Sequence, residues 1–137
     1  MQHIGNKERK IVLYIVYGED QSYYDGAIFN YLTFSKWIYE KDQIEFYALT
    51  EYPEKFKNYP IKTLLIDSKN KKNWSLDGKY HFRIKNRGLA HFINLMGLKS
   101  DDKIFFFDSD TYFRYSPLPL FSYISSNQAV CCINEGF

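Results

Sequence analysis

Two carboxylates separated by one residue are the feature of this sequence with the clearest chemical potential. Asp108 and Asp110 flank Ser109, directly after an apolar run over residues 104–107. Carboxylate oxygens suit Mg²⁺ or Mn²⁺, and Mg²⁺ is typically held by one or two carboxylates together with substrate phosphates. Such an ion neutralises a diphosphate and makes it a better leaving group. The pair therefore predicts a divalent-metal and diphosphate site with Asp108 and Asp110 as ligands.

A structural role is the alternative for the same pair. Asp residues also occur in solvated turns and at helix N-caps, where no metal is involved. The position of the pair favours the metal site, because an unpaired acidic pair is costly to bury and this one directly follows an uninterrupted apolar strand. The three histidines, His3, His81 and His91, show no metal-ligand spacing.

The hydrophobic pattern and the turn residues predict the strands and helices that must position these carboxylates. Strands are predicted at residues 11–17, 44–49, 61–66, 103–107 and 128–133. Helices are predicted at residues 23–39 and 82–96, with short helices at 53–56 and after Pro117 or Pro119. The first helix has a predicted apolar stripe, made of Tyr23, Ala27, Ile28, Tyr31, Leu32, Ser35 and Ile38. Residues 68–79 are polar and are predicted as a solvated loop, with Asp77-Gly78 as a turn.

Strands that alternate with helices predict an α/β fold of βαβ units. The sheet is expected to be mostly parallel, with helices on both faces and right-handed crossovers, as in Rossmann-like folds. Ligands bind beyond the carboxyl ends of the strands in such sheets. The residues that follow the strands are therefore candidates for binding: Tyr17 and Gly18, then Asp67, then the Asp108–Asp110 segment.

Composition narrows the class of partner. The net charge of +2 is too small to indicate nucleic-acid binding, and no apolar run approaches the length of a transmembrane helix. Lys69, Lys71 and Lys72 form one basic cluster, interpreted as solvated, with a phosphate or anionic-lipid contact as the alternative. Cys131 and Cys132 match no zinc spacing and no disulfide framework, so a reducing, cytoplasmic setting is expected.

The order of these elements resembles the GT-A fold of nucleotide-diphospho-sugar glycosyltransferases. The resemblance covers about residues 10 to 135 and rests on four segments: the first strand with Gly18-Glu19-Asp20 and the following helix, Tyr80-His81-Phe82-Arg83-Ile84-Lys85, the strand ending in Asp108-Ser109-Asp110-Thr111, and Pro117-Leu118-Pro119-Leu120-Phe121. It implies a glycosyltransferase with a Mn²⁺ or Mg²⁺ cofactor. The donor would be a nucleotide-diphospho-sugar, with a UDP-sugar favoured, and the acceptor an unspecified glycan, lipid or protein.

The same resemblance assigns roles to single residues. Asp110 would bind the metal directly, and Asp108 would reach the ribose or the metal. Tyr17 and Gly18 would lie beside the base. Lys85, four residues before Leu89 at the start of an apolar helix stripe, would be a second cation for the diphosphate, unless its stem merely lies along the stripe with the ammonium in water. Ser109 completes the substrate-binding set.

The polar composition of the first residues and the resemblance together predict the domain organisation. Residues 1–9 are expected to be a flexible N-terminus, and residues 10–137 a nucleotide-sugar-binding α/β domain. Complete GT-A enzymes continue well beyond the carboxylate motif with a half that binds the acceptor. Only residues 111–137 follow the motif here, so we expect that the acceptor-binding half is absent and that the isolated chain has little activity.

Two other functions stay open at this point. The segment Phe107-Asp108-Ser109-Asp110-Thr111 also fits the signature of haloacid-dehalogenase-like phosphatases, in which Asp108 would be the nucleophile and Asp110 the general acid. In that family the motif normally follows the first strand, whereas here it follows the fourth. The third possibility is a non-catalytic nucleotide-binding fragment.

Overall fold

Four parallel strands form the centre of the fold. In a computed structural model, residues 8–108 and 110–124 are described. The strands are β1 (Lys10–Val16), β2 (Ile44–Thr50), β3 (Lys62–Leu65) and β4 (Lys103–Phe106). The helices are α1 (Gln21–Ser35), α2 (Ser68–Trp74), α3 (Arg83–Met96) and α4 (Leu118–Ser122), with short 3-10 turns at Glu40–Asp42 and Pro53–Phe56.

The order of the strands in the sheet is β3-β2-β1-β4, and every neighbouring pair is parallel. The predicted α/β class and parallel sheet are therefore confirmed for these four strands. From β1 the chain adds β2 and β3 on one side, and β4 then pairs with the other side of β1. This reversal of direction makes a crevice at the carboxyl ends of β1 and β4, where open parallel sheets bind ligands. The predicted strand at residues 128–133 and both cysteines lie outside the described residues.

Both faces of the sheet are covered, which explains the continuous apolar run of β1. Residues 11–16 are each no more than 6% exposed. Because side chains alternate along a strand, Val12 and Tyr14 pack on the side of α1 and α4, whereas Ile11 and Leu13 pack on the side of α2 and α3. The predicted helices on both faces are thus confirmed, and each face has its own apolar core.

The first helix differs from its prediction in length and in its buried face. α1 ends at Ser35 instead of residue 39. Its buried residues are Tyr24, Ala27, Asn30, Tyr31 and Phe34. Tyr23 and Leu32, both assigned to the predicted stripe, are each 47% exposed. Ala27 and Tyr31 of the predicted stripe are buried as expected. The rings of Tyr31 and Phe34 both pack edge-on against Phe46 of the sheet.

The prediction of a loop at residues 68–79 was wrong for its first half, which forms α2. The Asp67 side chain accepts a hydrogen bond from the amide of Asn70 at 2.7 Å and so caps the helix. Trp74, at the other end, is only 8% exposed and contacts His91. One cap and one buried tryptophan therefore outweigh the polar composition. The turn predicted at Asp77-Gly78 is confirmed, with positive φ at both residues.

The second long helix agrees closely with its prediction. α3 ends at Met96, and Gly97 follows with a φ of 60°, as expected for a glycine C-cap. Gly88 brings α3 close to the sheet, because a β-carbon there would lie 3.1 Å from Leu49. Among residues 8–108 and 110–124, none of the helices combines the length and the apolar character needed to cross a bilayer.

Candidate functional site

A cavity of about 440 Å³ opens at the crevice between the carboxyl ends of β1 and β4. We call it the switch-point cavity. Four of the residues predicted to bind substrate lie in its wall. The lining residues are Ile15, Val16, Tyr17, Gly18, Tyr23, Lys71, His81, Phe82, Lys85 and Asp108.

Gly18 turns the chain away from the sheet at the floor of the cavity. Its φ is 91°, a conformation that residues with a side chain rarely adopt. Its amide donates to Glu51 Oε1 at 2.7 Å, and its carbonyl accepts from the Tyr24 hydroxyl at 2.6 Å. The ring of Tyr23 lies 3.6 Å from the place that a β-carbon would take. Both backbone groups of Gly18 are therefore held by side chains, and an aromatic ring covers its open side.

Tyr17 ties the end of β1 to the start of α3. Its hydroxyl donates a hydrogen bond to the carbonyl of His81 at 3.1 Å. Burial raises the pKa of the Tyr17 phenol, with a smaller opposing effect of Lys85 and a further increase from Asp108. The phenol therefore remains protonated at neutral pH and can keep donating this bond.

Lys85 and Asp108 form an ion pair inside the cavity. The Lys85 ammonium contacts Asp108 Oδ1, and the side chains are 33% and 56% exposed. Lys85 lies in the first turn of α3, which contains no acidic residue and has no side-chain cap. The amides of this turn and the ammonium are both favourable for anions. The pair thus brings a cation from α3 and a carboxylate from the end of β4 to one point.

The two aspartates of the predicted metal site both lie in the segment that follows β4. Asp108 lines the cavity, whereas Asp110 is exposed and is not among the lining residues. Ser109 lies outside the described residues. In the described part of the chain, no group of three or more His, Cys, Asp or Glu side chains could hold a metal ion. Two solvent-accessible carboxylates on one loop still fit Mg²⁺ or Mn²⁺, since these ions usually keep several waters and take further ligands from phosphates.

Glu51 was not among the predicted site residues, and Lys71 was interpreted as part of a solvated cluster, with a phosphate contact as the alternative. Glu51 directly follows β2, so the rule that picks out residues at strand ends would have found it. Lys71 forms an ion pair with Glu51 at 3.0 Å and reaches the cavity from α2. Lys71 and His81 also border a neighbouring cavity of about 630 Å³, lined in addition by Asp67 and Ser68. The two cavities therefore adjoin along the carboxyl edge of the sheet.

Comparison of the chain with protein-family models, curated proteins and solved structures gives no match. The chemistry must therefore be argued from the site itself. Its two lysines are each paired with a carboxylate, Lys71 with Glu51 and Lys85 with Asp108. The formal charge of this set is zero. These four side chains therefore offer no net positive charge to an anionic ligand.

Proposed function

We propose that the switch-point cavity binds a nucleoside-diphosphate sugar together with Mn²⁺ or Mg²⁺, and that the chain is the donor-binding part of a GT-A-type glycosyltransferase. The observation that carries this proposal is the convergence of Tyr17, Gly18, Lys85 and Asp108 on one cavity at the carboxyl ends of β1 and β4. These residues come from distant parts of the sequence: Tyr17 and Gly18 follow β1, Lys85 lies in α3, and Asp108 follows β4.

The dimensions of the site support a ligand of this size. Small-molecule sites enclose about 300–1,000 Å³, and the switch-point cavity of about 440 Å³ adjoins a second one. Its wall combines aromatic rings with few polar groups. Tyr23 and Phe82 are 47% and 76% exposed, so their rings are available to a flat base. We assign the base to the rings near Gly18 and the diphosphate to the Lys85–Asp108 end.

The charges explain why a divalent ion belongs to the proposal. The positive charge of Lys85 is already compensated by Asp108, so the pair offers no net positive charge to a diphosphate. If Lys85 turned away to the phosphates, the Asp108 carboxylate would be left beside a like charge. A bound ion would stabilise the diphosphate as a leaving group. Asp108 and Asp110 would hold it, with phosphate oxygens and water as the remaining ligands. Lys85, once released from Asp108, can turn its ammonium toward the phosphates, while Tyr17 keeps the start of α3 in place.

The proposal is tested by isothermal titration of UDP and GDP into the chain, with Mn²⁺ or with a chelator. We expect binding with Mn²⁺ only, and tighter binding of UDP. Asp110→Asn should weaken Mn²⁺ binding by more than tenfold, because a divalent ion and a carboxylate about 3 Å apart attract by roughly 3 kcal/mol even in water. Asp101→Asn is the matched control, since Asp101 precedes β4 at the opposite edge of the sheet.

Three results would contradict the proposal. Equal nucleotide affinity with Mn²⁺ and with chelator would exclude the shared ion. An Asp110→Asn variant that binds Mn²⁺ as the wild type does would remove Asp110 from the site. Covalent trapping of a phosphate analogue on Asp108, in the absence of nucleotide, would support the phosphatase hypothesis instead.

A further inference from the structure

A fully buried amide connects the core to the loop that carries the carboxylates. Asn30 lies in the middle of α1 with 0% exposure, on a face otherwise made of apolar residues. An amide buried among apolar side chains is costly unless its hydrogen bonds are made. Its partners therefore show what the side chain is used for.

All the hydrogen-bonding atoms of this amide are engaged. The Asn30 carbonyl oxygen accepts from the buried Tyr14 hydroxyl at 2.6 Å. Its amino group donates to the backbone carbonyl of Thr111 at 3.0 Å and to the Thr111 hydroxyl at 2.9 Å. Both donor bonds thus go to a single residue, which is exposed and lies 81 positions further along the chain.

Thr111 is in turn hydrogen-bonded to the backbone of Asp108. The Thr111 hydroxyl donates to the Asp108 carbonyl at 2.8 Å, and the Thr111 amide donates to the same oxygen at 3.3 Å. A second polar residue of α1 acts nearby, since the Thr33 hydroxyl accepts from the Phe113 amide at 3.0 Å. A continuous series of hydrogen bonds therefore runs from Asn30 in α1 through Thr111 to the backbone of Asp108.

We infer that Asn30 is a positioning residue for the carboxylates of Asp108 and Asp110. It acts through Thr111, which fixes the backbone on the far side of the Asp108–Asp110 pair. The inference rests on the proposed function, because the purpose of this positioning is to present both carboxylates to one divalent ion. If Asn30 had only a structural role, its hydrogen bond to Tyr14 would stabilise the fold equally well. Removal of the Thr111 hydroxyl would then leave the affinity for the ion unchanged.

The test measures Mn²⁺ alone, by electron paramagnetic resonance of the free ion, on the full chain. Asn30→Leu and Thr111→Val should each weaken Mn²⁺ affinity by about tenfold, the lower end of what loss of a supporting hydrogen bond to metal ligands usually costs. Thr111→Ser keeps the hydroxyl and should restore affinity to within about twofold of the wild type on the same grounds. Tyr14→Phe is the matched control, because it removes a bond from the same amide without touching Thr111.

A second measurement tests the inference without relying on Mn²⁺ binding. It also includes Thr111→Val, so that the result does not depend on whether Asn30→Leu folds well. Hydrogen exchange of the Thr111 and Phe113 amides should speed up by about tenfold or more in Thr111→Val and Asn30→Leu, and stay unchanged in Tyr14→Phe, since only the first two free the loop. Unchanged exchange at Thr111, or equal loss of Mn²⁺ affinity in Tyr14→Phe, overturns the inference. A wild-type chain that binds no Mn²⁺ overturns the proposed function, while the exchange data still decide whether Asn30 holds the loop.

Discussion

Replacing Lys85 with methionine should increase the affinity for Mn²⁺ and decrease the affinity for UDP at saturating Mn²⁺. The Lys85–Asp108 pair is partly exposed, at 33% and 56%, and exposed ion pairs contribute about 0–1 kcal/mol to stability. Methionine keeps a stem of similar length. The free energy of unfolding should therefore change by less than about 1 kcal/mol, and the variant should fold.

The affinity for Mn²⁺ alone should increase. In the proposed site, Lys85 would compete with the ion for Asp108 and would repel it. The repulsion energy between a single positive charge and a divalent ion about 5 Å away is roughly 1.7 kcal/mol in water, and salt screens about half of this. Removal of Lys85 should thus tighten Mn²⁺ binding by about four- to tenfold. The affinity for UDP at saturating Mn²⁺ should fall by about tenfold, because an ammonium is lost beside the phosphates.

The assay combines a Mn²⁺ titration followed by electron paramagnetic resonance with calorimetric titration of UDP at saturating Mn²⁺. Lys99→Met is the control, since Lys99 is exposed and lies between α3 and β4 at the opposite edge of the sheet. It removes the same charge and should change neither affinity. If both affinities of Lys85→Met moved in the same direction, or neither moved, the competition between lysine and ion would be refuted.

The remaining predictions concern the stability of the fold. Arg9 donates to both carboxylate oxygens of Glu45, and this bonding lowers the pKa of Glu45. The resulting stability is present above the unfolded pKa of about 4.3 and is lost as the pH falls through the lower folded value, so Glu45→Gln should cost about 1 kcal/mol in urea unfolding at pH 7 and almost nothing at pH 2. A pH-independent loss would contradict this. A β-carbon at Gly88 would lie 3.1 Å from Leu49, so Gly88→Leu should lower Tm through overpacking of about 1–3 kcal/mol. In Gly88→Ala a gain in helix propensity of up to about 1 kcal/mol offsets the contact, and equal Tm values for the two variants would contradict the close approach.

The parts of the fold that could be predicted are those with an unambiguous period or terminator. β1 is apolar at every position because both of its faces are covered, which is typical of central parallel strands. The apolar stripe predicted for α3 comprises Leu89, Phe92, Ile93 and Met96, followed by a glycine; all but Ile93, which is 38% exposed, belong to the core. α2 could not be predicted from periodicity, because its helical state depends on a cap at Asp67 and on the burial of one residue, Trp74.

The buried face of α1 was predicted in part: Ala27 and Tyr31 are buried as expected, but apolar residues occur on more than one side of this helix. Tyr23 and Leu32 are exposed, whereas Tyr24 and Phe34 are buried. Only packing against the sheet decides which side is buried, and that packing is a tertiary property. Asn30 was not predicted to be buried for a related reason. A polar residue is not expected in a core unless a hydrogen-bond partner is known, and the partner Thr111 lies 81 positions further along the chain.

Within the site, the rule that ligands bind beyond strand ends located Tyr17, Gly18 and Asp108 in one cavity. It works because parallel strands all end at the same edge. The position of Lys85 followed from helical phase. Where the side chain of Asp110 points could not be predicted, since it lies on an exposed loop with no periodicity to orient it.

The reversal in strand order explains both the cavity and the hydrogen bonds behind it. Because β4 pairs with β1, the segment after β4 passes over the helix that follows β1, and Phe34 of α1 packs against Phe107 and Phe113 on either side of Asp108. α3 covers the other face and brings Lys85 to the same aspartate. The backbone of Asp108 is thereby constrained from one face of the sheet and its carboxylate is paired from the other. These two constraints act on different atoms, so the affinity for the proposed ion should respond to the geometry of the loop and to the local charge separately.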